Sequence, residues 1–186
     1  MPLRALTTLT LLILTASLAA CAETQPAEPS PVASPSASAA LFASEEEATQ
    51  AADALIKEYW AAINTIFKAG GQETGILEPL VTERLLILER EDAAIFKRSE
   101  FRQFGDYAVV GTAFQQMFQG ADSVQLIVTT CVDYSQVKAV NSQGQEAVRT
   151  HSAPQFQHQV TIHVTEHSGQ RSMRLDDSEP MPESPC

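Results

Sequence analysis

The 186-residue chain is poor in several things that would announce a chemistry. It has three cysteines, four histidines, one tryptophan and only 12 lysines and arginines against 23 acidic residues. A surface with that balance repels phosphate backbones, so nucleic acid is excluded as a partner. No Gly-rich phosphate loop and no Gly-x-Ser-x-Gly nucleophile elbow occurs. The histidines His151, His158, His163 and His167 are not joined by a cysteine or carboxylate set with zinc-ligand spacing, so no metal and no cofactor is expected. On a strand, His158 and His163 fall on opposite faces. Long apolar runs are also missing, with one exception at the start of the chain.

That exception is Ala5–Ala20, an uncharged run rich in Leu, Thr and Ala that follows Arg4. It is shorter than the roughly 20 residues a membrane span needs. A basic start, a short apolar centre and small residues at its end are the marks of an export signal. The run closes on Leu18-Ala19-Ala20-Cys21, which resembles the lipobox of bacterial lipoproteins. The resemblance implies diacylglycerol on the Cys21 thiol and cleavage before Cys21, with the protein held by its lipid on the outer face of the bacterial cell membrane. The alternative is an ordinary signal peptide in which Cys21 is incidental. Cleavage there leaves 11 basic and 23 acidic side chains, a net charge of −12, which disfavours contact with anionic headgroups.

If lipid takes Cys21, the remaining cysteines are Cys131 and Cys186. In an exported protein they form the one available intramolecular pair. Closing a loop of roughly 55 residues contributes about 4 kcal/mol in the chain-entropy account. Two separate buried thiols are the other arrangement the sequence allows.

Residues 21–43 read as a lipidated tether. Pro26, Pro29, Pro31 and Pro35 break any helix, and residues 22–40 carry no aromatic side chain. A single α+β domain is expected over 44–186. Ser44 with Glu47 is a capping box. Ala48, Ala52, Leu55, Tyr59, Ala62 and Ile66 then recur at helical spacing, with Asp53, Lys57 and Asn64 on the solvent side, up to Gly70-Gly71. A short helical piece is predicted at Ile76–Val81. Thr82 caps a third helix, Glu83 to about Lys97, whose inward positions are Leu85, Leu88 and Ile95, widened by Ile87 and Phe96. After Gly105 the period becomes two. Strands are predicted at Tyr107–Phe118, bent at Gly111, at Ser123–Asp133, and over a run with Phe156, His158, Val160, Ile162 and Val164 on one face. A last short strand, Arg171–Asp176, precedes an acidic, proline-rich tail. Helices first and strands afterwards give an α+β fold with N-terminal helices on a curved antiparallel sheet.

This order of parts resembles a nuclear transport factor 2-like domain, a cone of bent sheet around a long helix. More narrowly, the chain is similar to secreted bacterial lipoproteins that carry it. The resemblance rests on Glu58-Tyr59-Trp60, on Thr130-Cys131-Val132-Asp133 followed by Asn141 and Gly144, and on Pro185-Cys186. It implies a Cys131–Cys186 disulfide. The usual Gly-x-Trp pattern after the last turn is replaced by Gly169-Gln170-Arg171-Ser172-Met173. Tyr59, Trp60, Asp133, Tyr134 and His158 are candidate pocket residues, with helix-to-sheet packing the plainer reading of Tyr59 and Trp60. No catalytic residue is assigned. The expected function is non-catalytic binding of an extracytoplasmic protein or small molecule; the alternative is an isomerase- or hydrolase-type enzyme using the cone.

One outcome tests the anchor. Cys21→Ala should release the domain or leave unprocessed precursor, and the unaltered chain should give a diacylglycerol-modified N-terminal peptide by mass spectrometry. A Cys21→Ala chain that is still cleaved and still membrane-bound removes the lipobox reading.

Overall fold

In the computed structural model, residues 41–186 are described, apart from 121–122 and 149–152. The signal segment, Cys21, nearly all of the tether and His151 lie outside the described residues.

Helix α1 spans Glu45–Lys68. The Ser44 hydroxyl accepts from the Glu47 N–H at 3.1 Å, and the Glu47 carboxylate accepts from the Ala43 N–H at 2.7 Å, so two otherwise orphaned donors are satisfied. Gly70 and Gly71 end the helix at φ 75° and 78°. A Cβ on Gly71 would lie 2.2 Å from the Ala93 carbonyl oxygen, so glycine also lets the next helix approach.

A 3-10 turn at Thr74–Leu77 stands where the short helical piece was expected, and Pro79 falls beyond it. Helix α2, Glu83–Arg98, is capped by the Thr82 hydroxyl, which accepts from the Leu85 N–H.

Six antiparallel strands follow: β1 Arg102–Phe104, β2 Ala108–Gln119, β3 Ser123–Asp133, β4 Lys138–Val140, β5 Gln155–His167 and β6 Gln170–Met181. The main sheet has the order β2-β3-β5-β6, and β1 pairs with β4 beside it. Register shifts at Val109/Gly111, Phe114/Gln116 and Thr161/Ile162 bend the strands. The inner face carries Val124, Leu126, Val128, Thr130 and Val132 from β3, and Phe156, His158, Val160, Ile162 and Val164 from β5. Against it lies α1, through Ala48, Ala52, Leu55, Ile56, Tyr59, Ile63 and Ile66. Each large aliphatic side chain buried there contributes roughly 1.5–3 kcal/mol. The fold is α+β, two helices packed on antiparallel sheet.

Several expectations are corrected. Asn64 is buried, not exposed. Its Oδ1 accepts from the Gln103 side chain at 2.7 Å and the Tyr107 N–H at 2.9 Å, and its Nδ2 donates to the Tyr107 carbonyl at 3.0 Å. The amide thereby joins α1 to β1 and to the entry of β2. Helix α2 buries Leu85, Leu86 and Ala93, while Ile87, Leu88 and Ile95 are exposed. Phe42, assigned by sequence to the tether, is buried under Arg171, whose guanidinium sits 4.2 Å from the ring centre. The last strand is also longer than predicted and runs on through Pro180, which an edge strand tolerates.

Cys131 and Cys186 are joined by a disulfide. Cys131 lies on the outer face of β3 opposite Gln157 of β5, and Gln157 is opposite Met181 of β6. Beyond β6 the chain turns back, and the Gln157 N–H donates to the Ser184 carbonyl at 2.9 Å. The ladder thus holds the chain as far as Met181 without the bond, which staples only the last five residues across β5. Cys131→Ser should lower stability by up to about 4 kcal/mol in denaturant unfolding. Adding Cys186→Ser should cost no more, since one bond is counted once. Limited proteolysis should release residues after Met181 and leave β6 protected.

Candidate functional site

Rings from four parts of the chain meet at one end of the sheet. Trp60 comes from the middle of α1, Tyr107 from the entry to β2, Tyr134 from the exit of β3, and Phe156 with His158 from β5, two residues apart and therefore on one face. The Trp60 ring meets Tyr107 at 5.2 Å, Tyr134 at 6.2 Å and His158 at 5.4 Å between centroids. Tyr134 stacks on Phe156 at 4.5 Å and 9°, and Phe156 on His158 at 5.4 Å and 16°. Edge-to-face and offset contacts of this kind add about 0.5–1.5 kcal/mol each beyond area burial.

His158 is 4% exposed and shares the buried polar atoms of the cluster with the Tyr134 hydroxyl and with Trp60 Nε1, which has no hydrogen-bond partner among the described residues. Its Nε2 is 2.6 Å from the Tyr134 hydroxyl and its Nδ1 is 3.2 Å from the Ser178 hydroxyl. Burial pushes the imidazole pKa down to about 4, so the ring is neutral at pH 7. Burial, and then the neighbouring Tyr107, push the Tyr134 phenol well up, so it stays protonated. Its O–H can donate to Nε2, leaving Nδ1–H to donate to Ser178.

The mouth of the site lies above Tyr107, Tyr134 and Phe156. A half-open pocket of about 190 Å³ is walled there by these rings, by Val137 and by small side chains of the β3–β5 connection, among them Ala139, Ala147 and Ala153. Lys138 and Glu146 stand on the rim and pair at 3.6 Å. The volume is below the roughly 300–1,000 Å³ that drug-sized ligands occupy, and suits a single ring with a few substituents.

The residues singled out by sequence divide three ways. Trp60, Tyr134 and His158 come together. Tyr59 touches the Trp60 ring but aims its hydroxyl at Glu89 of α2, donating at 2.5 Å. Asp133 does not join the cluster. It is the outward residue at the end of β3, where its carboxylate accepts from the Ser135 N–H at 2.7 Å and from the Gln155 side chain at 2.9 Å. The Ser135 backbone bond first, and then the side-chain bonds, hold its pKa below the ordinary value.

Tyr107, Phe156 and Val137 line the mouth without having been assigned to a site by sequence. Glu89 was missed as well. Burial raises its pKa, against the hydrogen bond from Tyr59 and with a further push from Asp92. A usable signal was present: Glu89 stands between Leu85 and Ala93 at four-residue spacing, on the face α2 buries. Of the other histidines, His163 is exposed on the opposite side of β5, 4.0 Å from Asp176.

No family model matches the sequence, and no curated protein matches it. Among solved structures, the intermembrane space region of chloroplast protein ARC6 is similar, with a TM-score of 0.53 at 9% identity over 72% of this chain and 96% of that one. An uncharacterised Caulobacter vibrioides protein with a cystatin-like fold gives 0.35 at 17% identity, covering 71% and 87% of the two chains. A Xanthomonas campestris putative calcium/calmodulin dependent protein kinase II association domain gives 0.28 at 12%, covering 69% and 86%. At 9% identity the first likeness is one of fold alone, and the other two superpose too loosely to add to it.

The histidine makes a pH prediction. A buried imidazole whose folded pKa lies below its unfolded value of about 6.5 binds fewer protons when folded. Its contribution is complete above pH 6.5 and is lost as pH falls toward 4, on the order of 3 kcal/mol. Glu89 acts in the opposite sense, because its raised pKa lets the folded state take up a proton first as pH falls. Denaturant unfolding of wild type and His158→Gln at pH 7 and pH 4.5 separates the two. The variant should show the smaller loss on acidification, and equal losses would contradict the assignment.

Proposed function

We propose that this chain is a membrane-anchored extracytoplasmic lipoprotein, held by lipid on Cys21, whose nuclear transport factor 2-like domain binds a small apolar, ring-bearing molecule without transforming it. The observation that carries the binding reading is the composition of the mouth pocket. Aromatic rings and small apolar side chains form its wall, and its one acid, Glu146, sits on the rim already paired with Lys138. An enzyme of the isomerase or hydrolase kind would want a carboxylate buried in that pocket. The carboxylate whose pKa burial raises most evidently, Glu89, is half-buried, engaged by Tyr59 between the two helices and absent from the pocket wall. His158 lies deeper, neutral and bonded through both nitrogens, in an arrangement that suits a rigid floor better than proton transfer.

Isothermal titration with a single-ring probe, p-cresol, tests this. It should bind the native domain saturably. Ala147→Phe, which fills the pocket from the loop, should abolish the signal with little change in melting temperature. Unchanged probe binding in Ala147→Phe would place the apolar site elsewhere.

A further inference from the structure

The two edges of the main sheet are built in opposite ways. At one edge, β6 carries Arg171, Arg174, Asp176, Asp177 and Glu179 and contains Pro180. It is also covered: the Thr82 N–H donates to the Leu175 carbonyl at 2.8 Å, and the Leu175 N–H to the Leu80 carbonyl at 2.9 Å. Charges, proline and a covering segment are the usual devices that stop a sheet edge from recruiting another strand.

At the other edge, β2 has no charge, no proline and, among the described residues, no covering segment; the one such device it keeps is its pair of bulges. Its 12 residues, AVVGTAFQQMFQ, include no charged side chain and no proline, in a chain with 35 ionised side chains and a formal net charge of −11. Among the described residues it pairs with β3 alone. Val110 is 60% exposed and Phe118 is 47% exposed, while Ala108, Ala113, Gln115 and Gln116 are open to solvent.

We infer that β2 is a pairing edge and that its partner is β2 of a second copy, antiparallel about a two-fold axis near Ala113. Charge decides the occupant. Two copies with this acidic excess repel over most of their surfaces, and contact costs least where a strand carries no charge. An antiparallel strand meeting itself sets each residue against a residue of the same strand, so a single carboxylate or ammonium near the axis would face its own kind. This strand has none to offer. It also carries no charged side chain by which an edge selects a foreign strand. Closure follows from the other edge. Joining β2 to β2 makes a continuous eight-stranded sheet bounded on both sides by the charged, covered β6, so growth stops at two. The bulges at Val109/Gly111 and Phe114/Gln116 leave a short regular stretch around Ala113 as the place where a ladder forms.

The full chain in non-ionic detergent, measured by light scattering and sedimentation, should have the protein mass of a dimer. Ala113→Lys, and independently Val110→Lys, should give monomers with unchanged melting, since both sites are exposed. Mixing Ala113→Lys chains with Ala113→Glu chains should restore the dimer. A wild-type chain that is monomeric overturns the inference. So does a dimer that survives both lysine substitutions but is lost in Leu88→Glu, which would move the interface to α2, and so does an open-ended assembly.

Discussion

Helix α1 has to be covered over an unusually wide arc. Its buried residues run from Ala62 round through Ala48, Tyr59, Ile63 and Trp60 to Asn64, about 200° of the helix at 3.6 residues per turn. A surface helix on a flat sheet hides a stripe of roughly 100°. Covering twice that requires a sheet that bends around the helix and a second helix to finish the job. The bulges in β2 and β6 supply the bend, and Leu85, Leu86 and Ala93 of α2 supply the rest. The aromatic cluster is a result of the same demand, since Trp60 sits at the far side of the arc where β2, β3 and β5 converge.

Much of this architecture was readable from residue spacing where one force dominates. β3 has the predicted bounds because its inward valines and leucine alternate without a break, and all five inward side chains predicted for β5 are buried. Reading failed where two forces compete. Helix α2 offers two apolar stripes, and Leu88 with Ile95 looks as good by periodicity as Leu86 with Ala93. What decides is the Gly71 backbone pressed against Ala93 and the Glu89 carboxylate waiting for Tyr59, both of which are tertiary facts. Asn64 reads as a solvent residue by type, yet it meets three polar atoms at the β1–β2 junction, the Gln103 side-chain amide and the Tyr107 N–H and carbonyl. In β6, acids and a proline argue against a strand unless that strand is known to be an edge.

The site was half legible. Trp60, Tyr134 and His158 are drawn together by helix position and strand parity, which sequence carries. Asp133 was separated from them by one residue of that parity. Tyr107 and Val137 join through chain turns, and spacing has nothing to say about those. What results is a floor of stacked rings in which the Tyr134 hydroxyl and both His158 nitrogens are bonded within the protein, while the buried Trp60 Nε1 has no hydrogen-bond partner among the described residues.

Where the chain enters the domain also has a directional consequence. Phe42 and Glu47 are fastened to Arg171, and Arg171 lies opposite Glu166 near the far end of β5. The pocket opens at Phe156, at the beginning of the same strand. Ten residues of extended chain separate the two, about 33 Å at 3.3 Å per residue. Any pull exerted through the segment before Phe42 is therefore applied at the end remote from the mouth.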